Sequence, residues 1–241
     1  MVIWNHPGVD VTGMVARCEK VAGTCEKLLG GEVYHYVTKF MMKPARIGGR
    51  HVWHQDYGYW YQYGNLFPNM MTTFVAIDNA TKEMAVSRTI LRLYMSLCFI
   101  SPLRLTVLKY ISIWTWVLKG SHKCGRIDHS SLDGQQCADM ERVEEIAKQV
   151  PLEYVELERG DALFFHCNLL HCSSANTSPS RRWAFICVYN RADNNPVKAH
   201  YHPFYTPLEK VPNSAILECQ DFTTMDGKWF NDPITDNIPT G

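Results

Sequence analysis

Short β-type runs separated by turn signals, with few helical stretches between them, constrain this chain more than any other feature. Residues 32–43 alternate Val33, His35 and Val37 with Tyr34, Tyr36 and Thr38, as a strand between two layers does. Met70–Ile77 is almost continuously apolar, which suits a strand buried on both faces. Leu152–Glu158 alternates again, Arg159-Gly160-Asp161 turns, and Ala162–Phe165 opens another strand. Trp183–Tyr189 is apolar on both faces. The predicted helices are few. One is capped by Asp10 and runs to about Leu29, where Gly30-Gly31 stops it; a short surface helix covers Glu141–Gln149. The tail from Asn190 is rich in proline and polar residues and reads as surface loop. Such a pattern is mainly β and favours a jelly-roll sandwich, a double-stranded β-helix of the cupin kind with a few flanking helices.

At 241 residues, 46% hydrophobic and 20% charged, the chain suits one domain (residues 1–241) with an ample core. Its formal net charge is zero and its lysines and arginines are dispersed, which argues against a nucleic-acid partner. Nine cysteines are scattered without a CxxC pair, so reduced thiols are expected. The N-terminus shows no secretory pattern and the C-terminus, IPTG, is no peroxisomal address. The expectation is therefore a cytoplasmic protein.

Residues 84–116 stand apart: 33 residues with four bases and no acid. Arg92, Arg104 and Lys109 interrupt the segment, and its longest charge-free run, Leu93–Leu103, is 11 residues with Pro102 inside. That is too short for a membrane span. The segment reads as an atypical insertion.

His54-Gln55-Asp56 carries the chemistry. On extended backbone, residues two apart share a face, so His54 and Asp56 can meet one metal while Gln55 points away. An HxD triplet alone recurs by chance, but Trp53, Tyr57, Tyr59 and Trp60 surround this one with the walls of a small-molecule pocket. Two histidines and one carboxylate form the facial set that holds non-heme Fe(II) with positions left open. His166 and His171 both offer the second imidazole. His171 opens the segment that Arg182 returns beside, and it is favoured as ligand, with His166 as a supporting group. An arginine fork grips a carboxylate bidentately, and of the neighbours Arg181 and Arg182 only one can face the interior. Ser173, Thr177 and Ser178 could add hydroxyl contacts.

The stretches KPARIGGRHVWHQDYGYWY, VLKGSHKCGRIDH, LERGDALFFHCNLLHCSSANTSPSRRWAFICVYN and YHPFYTPLEKV together resemble the phytanoyl-CoA dioxygenase superfamily of Fe(II)/2-oxoglutarate oxygenases. Within it they are most similar to the branch of ectoine hydroxylase and free L-proline trans-4-hydroxylase. The resemblance implies that His54, Asp56 and His171 hold the iron, that Arg182 holds the distal carboxylate of 2-oxoglutarate, and that Trp60 lies near the substrate. It implies an enzyme that couples decarboxylation of 2-oxoglutarate to hydroxylation of a small, amino-acid-like molecule, free L-proline being one possibility. Two departures stand out. ATKE at 80–83 runs into the atypical segment and VLKGSHK resumes only at Val117, while the family also carries a longer N-terminal region. Met41 sits where ectoine hydroxylase has an asparagine at the co-substrate, so ectoine itself is not expected. Two rival readings remain: a catalytically impaired isoform whose strands the insertion disturbs, and a cupin-like module for another metal.

Overall fold

The computed structural model describes residues 1–80, 115–132, 134–222 and 224–230. After β1 (Val2–Trp4), Asp10 caps α1 (Val11–Arg17): its carboxylate accepts the Gly13 N–H at 3.0 Å and the Thr12 hydroxyl at 2.6 Å. The single helix expected from Asp10 to Leu29 is broken. Cys18 adopts extended backbone (φ −69°, ψ 154°), a π-helical turn covers Glu19–Gly23, and α2 (Thr24–Leu29) follows. Gly30 ends it at φ 71°, a left-handed conformation that favours glycine.

The strands then run β2 (Val33–Lys43), β3 (His51–His54), β4 (Met70–Ala76), β5 (Thr115–Leu118), β6 (His129–Leu132), β7 (Gln135–Ala138), β8 (Leu152–Val155), β9 (Ala162–His166), β10 (His171–Ser173), β11 (Arg182–Arg191) and β12 (Trp229–Phe230). Helix α3 (Asp56–Trp60) follows β3, α4 (Met140–Gln149) follows β7, and α5 (Ala215–Glu218) lies in the tail. The expected jelly-roll architecture is present as two antiparallel sheets. The larger has the order β12-β1-β2-β11-β4-β9 and the smaller β3-β10-β5-β8, with β6 and β7 forming a separate hairpin.

The long β2–β11 ladder runs from Val33 opposite Arg191 to Lys43 opposite Arg182, with a register shift between Val188 and Tyr189. The shift re-aims β2, so its C-terminal half presents Lys39 and Met41 between the sheets. Helix α1, the π-helical turn and α2 together bury Ala16, Val21, Ala22 and Cys25 against Phe164, Phe185, Cys187 and Tyr189 on the outer face of the larger sheet. The Tyr189 hydroxyl donates to the Ala16 carbonyl. Helix α4, capped by Asp139, covers the smaller sheet through Val143 against Leu118, Ile127, Ala138 and Leu170. Between the sheets, Phe74 packs with Val117, Leu163 and Phe165. Each fully buried side chain of this kind contributes roughly 1.5–3 kcal/mol.

Two boundaries differ from the sequence expectation. Asp56 does not lie on a strand; β3 ends at His54, and Asp56 is the first residue of α3. The atypical segment ends earlier than residue 116, because Thr115 and Trp116 pair with Val155 and Tyr154 as the start of β5. Residues 84–114 lie outside the described residues.

Candidate active site

His54 and His171 are cross-strand partners on β3 and β10, their ring centroids 4.1 Å apart. One ligand atom from each of His54, Asp56 and His171 lies within 4.8 Å of the others, the arrangement one metal ion needs. The Nδ1 of His54 is 2.8 Å from the Val52 carbonyl, and that of His171 is 2.9 Å from the Leu169 carbonyl. A carbonyl only accepts, so each Nδ1 carries the proton and each Nε2 offers its lone pair to the centre. His54 Nε2 is 3.9 Å from Asp56 Oδ1.

The Asp56 carboxylate is fixed on both oxygens. Tyr59 donates to Oδ1 at 2.6 Å from one turn along α3, and Thr72 donates to Oδ2 at 2.7 Å from β4. Burial opposes its charge, yet His171, Lys39 and His54 hold it below the ordinary carboxylate range. Burial and the neighbouring His171 push His54 well below its usual value, so it is neutral. A neutral His54 beside an ionised Asp56 is suited to binding a divalent cation.

The expectation that Gln55 points away describes its direction but not its importance. Its side chain is wholly buried and accepts from Ile127 N at 2.7 Å while donating to the Gly125 and Asn168 carbonyls, each at 2.8 Å. Its backbone N–H donates to His129 Nε2 at 2.8 Å. This network fixes the β3–α3 junction that delivers His54 and Asp56. The His129 ring also lies against α3 at Gly58, where a Cβ would come within 2.1 Å of it, so Gly58 is required by close approach.

A cavity of about 110 Å³ opens between the sheets over this centre. The larger sheet contributes Lys39, Met41, Thr72, Phe74, Phe165, Ile186 and Val188; the smaller contributes His51, His54, Thr115, His171, Cys172 and Ser173. Arg182, at the start of β11, belongs to the larger sheet as well, and Met1, Asp56 and Tyr59 complete the lining. Arg181 faces outward, with Asp78 accepting from its Nε at 3.2 Å and the Trp183 ring 4.0 Å beneath it. Arg182 is within ion-pair distance of no carboxylate among the described residues, and burial lowers it only to about 10, so its charge persists. Lys43 sits beside it, donating to Ser173 Oγ and the Ser174 carbonyl, each at 2.8 Å. Burial, and then the Arg182 charge, push Lys43 down to about 6.

Several expected site residues lie elsewhere. Trp60 is fully buried against Tyr36 (ring centroids 5.7 Å), and Tyr57 is buried with its hydroxyl on the Asn65 carbonyl. Neither lines the cavity. His166 faces His122 at 5.8 Å and accepts from Asn168 N, away from the three ligand atoms. Of the hydroxyl candidates, Ser173 lines the cavity, whereas Ser178 hydrogen-bonds Asn176 in the preceding loop. Lys43 and Lys39 were not anticipated. Their signal was available in the alternation of β2, which places 39, 41 and 43 on one face.

The sequence model of the phytanoyl-CoA dioxygenase (PhyH) family matches residues 3–85 and 115–184. The chain belongs to this family. The match breaks across the atypical segment and resumes at the first residue of β5. An L-proline trans-4-hydroxylase of Streptomyces griseoviridis is 26% identical over 226 residues, 86% of this chain and 73% of that protein. An ectoine dioxygenase of Stutzerimonas stutzeri is 26% identical over 236 residues, 92% of this chain and 66% of that protein. Among solved structures, EctD from S. alaskensis in its apoform superposes with a TM-score of 0.60 at 20% identity, over 84% of this chain and 64% of that one. The chain thus spans about half to two thirds of the length of the ectoine enzymes it matches. EctD has also been solved with bound Fe, and with 2-oxoglutarate and 5-hydroxyectoine. Among the described residues, no helix is long and apolar enough to cross a membrane.

Proposed function

We propose that this protein is an Fe(II)- and 2-oxoglutarate-dependent dioxygenase that hydroxylates a small amino-acid-like substrate, with free L-proline the first candidate. The observation that carries this reading is the convergence of His54, Asp56 and His171, with each Nε2 turned to the centre, in a cavity that Arg182 also lines. The donor set fits a hard-to-intermediate divalent ion and leaves one face open. When bound, the metal and 2-oxoglutarate supply the oxidation of a C–H bond by O₂, chemistry that no side chain provides alone.

The protein's own part is positioning. His54 and His171 are oriented by the Val52 and Leu169 carbonyls, and Asp56 by Tyr59 and Thr72. Arg182, which lines the cavity, would take the distal carboxylate of the co-substrate, with Lys43 and Ser173 beside it. Phe74, Phe165, Ile186 and Val188 keep the reacting region dry. The proline hydroxylase and ectoine dioxygenase relatives favour a small amino-acid-like substrate over a bulky one, and the modest cavity agrees.

The test is succinate release by purified protein given Fe(II), 2-oxoglutarate and a panel of free amino acids led by L-proline. Turnover should vanish on chelation of the metal and return with Fe(II). No succinate under any of these conditions would defeat the reading.

A further inference from the structure

We propose that Lys39 receives the carboxylate of the substrate, so that the substrates are free amino or imino acids rather than amides, esters or decarboxylated amines. This rests on the function proposed above and names the group that would select the substrate. Residues 39, 41 and 43 share one face of β2, and Lys39 and Met41 line the cavity, but Lys39 and Lys43 stand four residues apart, about 13 Å along a strand. Lys43 belongs with Arg182 at the end placed for the co-substrate. Lys39 occupies the opposite side, beside Asp56 and Tyr59, with its Nζ 5.8 Å from the Tyr59 ring centroid. A dicarboxylate gripped at Arg182 and reaching toward the His54–His171 pair leaves Lys39 to a second anion.

Among the described residues no carboxylate lies within ion-pair distance of Lys39. Asp56 is near enough to favour its charge, but both Asp56 oxygens already accept from hydroxyls, and one of them faces the metal-ligand set. An ammonium in a wall of Tyr59, Ile186 and Val188 is disfavoured by burial unless an anion meets it. A carboxylate does so with charge-assisted hydrogen bonds. It would also hold the remainder of the molecule toward the three ligands, which lie on the same side as Asp56.

The experiment compares L-proline with L-prolinamide, which differ only in that carboxylate. Their binding to the Fe(II)- and 2-oxoglutarate-loaded protein is measured by anaerobic calorimetry, and succinate release is measured in air. Wild type should prefer L-proline by tenfold or more in both. In Lys39→Met the preference should collapse to within about twofold through a rise in KM for L-proline, while Lys39→Arg should retain most of it. An unchanged preference in Lys39→Met would overturn the proposal, as would equal binding of the two compounds to wild type. So would a loss of 2-oxoglutarate affinity in Lys39→Met, since that places Lys39 at the co-substrate's end. If Lys39→Met does not fold, Lys39→Gln and the Arg variant carry the same comparison. Absence of all succinate release from wild type, with the calorimetric preference intact, defeats the broader function but not the role of Lys39.

Discussion

His54 and His171 face each other across the β3–β10 pair, and each gives its Nδ1 proton to a carbonyl two residues back along the chain. One local device is therefore used twice to aim two Nε2 atoms at one point. Loss of a partner that orients a metal ligand weakens binding by roughly 10–100-fold, and loss of a ligand itself should exceed that. We expect His54→Ala, Asp56→Ala and His171→Ala each to abolish measurable Fe(II) binding in anaerobic titration. His166→Ala should bind Fe(II) as wild type does. If His166→Ala loses the metal while His171→Ala keeps it, the ligand set is misassigned.

Arg182 and Arg181 are adjacent, yet one lines the cavity and the other lies on the surface against Asp78 and Trp183. A charge-assisted bidentate pair contributes about 1.5–3 kcal/mol, so Arg182→Lys should raise the KM for 2-oxoglutarate by roughly 10–100-fold. Arg181→Ala should leave that KM alone and change stability by no more than about 1 kcal/mol. The two variants measured side by side decide the assignment, and an unchanged KM in Arg182→Lys eliminates the role.

The sheet architecture was legible because apolar alternation and turn residues are local signals, and Met70–Ala76 and Arg182–Arg191 appear close to where they were expected. The triplet at His54 was legible because its spacing survives the change from strand to helix. What could not be read is long-range. The fate of Trp60 depends on Tyr36 across the fold, and the buried role of Gln55 depends on carbonyls at Gly125 and Asn168. Periodicity also carried the first helix through Cys18, where the backbone is extended and the chain turns.

Lys43 ties the site to pH. Its value is about 6 in the folded protein and that of an ordinary lysine when unfolded, so between these limits the unfolded chain binds the extra proton. Stability should accordingly rise with pH from about 6 toward 10, by up to about 1.4 kcal/mol per pH unit from this group. Below pH 6 both states are protonated and the slope from Lys43 disappears. Urea unfolding at pH 7, 8 and 9 should show the rise in wild type and its loss in Lys43→Met. A flat wild-type profile would mean that Lys43 stays charged in the fold.

The register around β8 makes the atypical segment testable. Ala80 bridges Leu157 antiparallel, donating its N–H to the Leu157 carbonyl at 2.9 Å, and Thr115 is the partner of Val155. Hydrogen bonding alternates sides along a strand, so positions 155 and 157 address the same neighbour. Ala80 and Thr115 therefore lie on one edge, running in one direction, with only the position opposite Glu156 between them. One residue suffices to join them. Deleting residues 82–114, so that Thr81 alone connects Ala80 to Thr115, should yield one continuous strand alongside β8. The family match, which stops at residue 85 and resumes at 115, agrees with that join. We expect the shortened protein to be obtained in higher soluble yield, to melt at a temperature no lower than the parent, and to keep its Fe(II) affinity. If the deletion abolishes folding, residues 82–114 contribute to the core and the uninterrupted strand is not the native design.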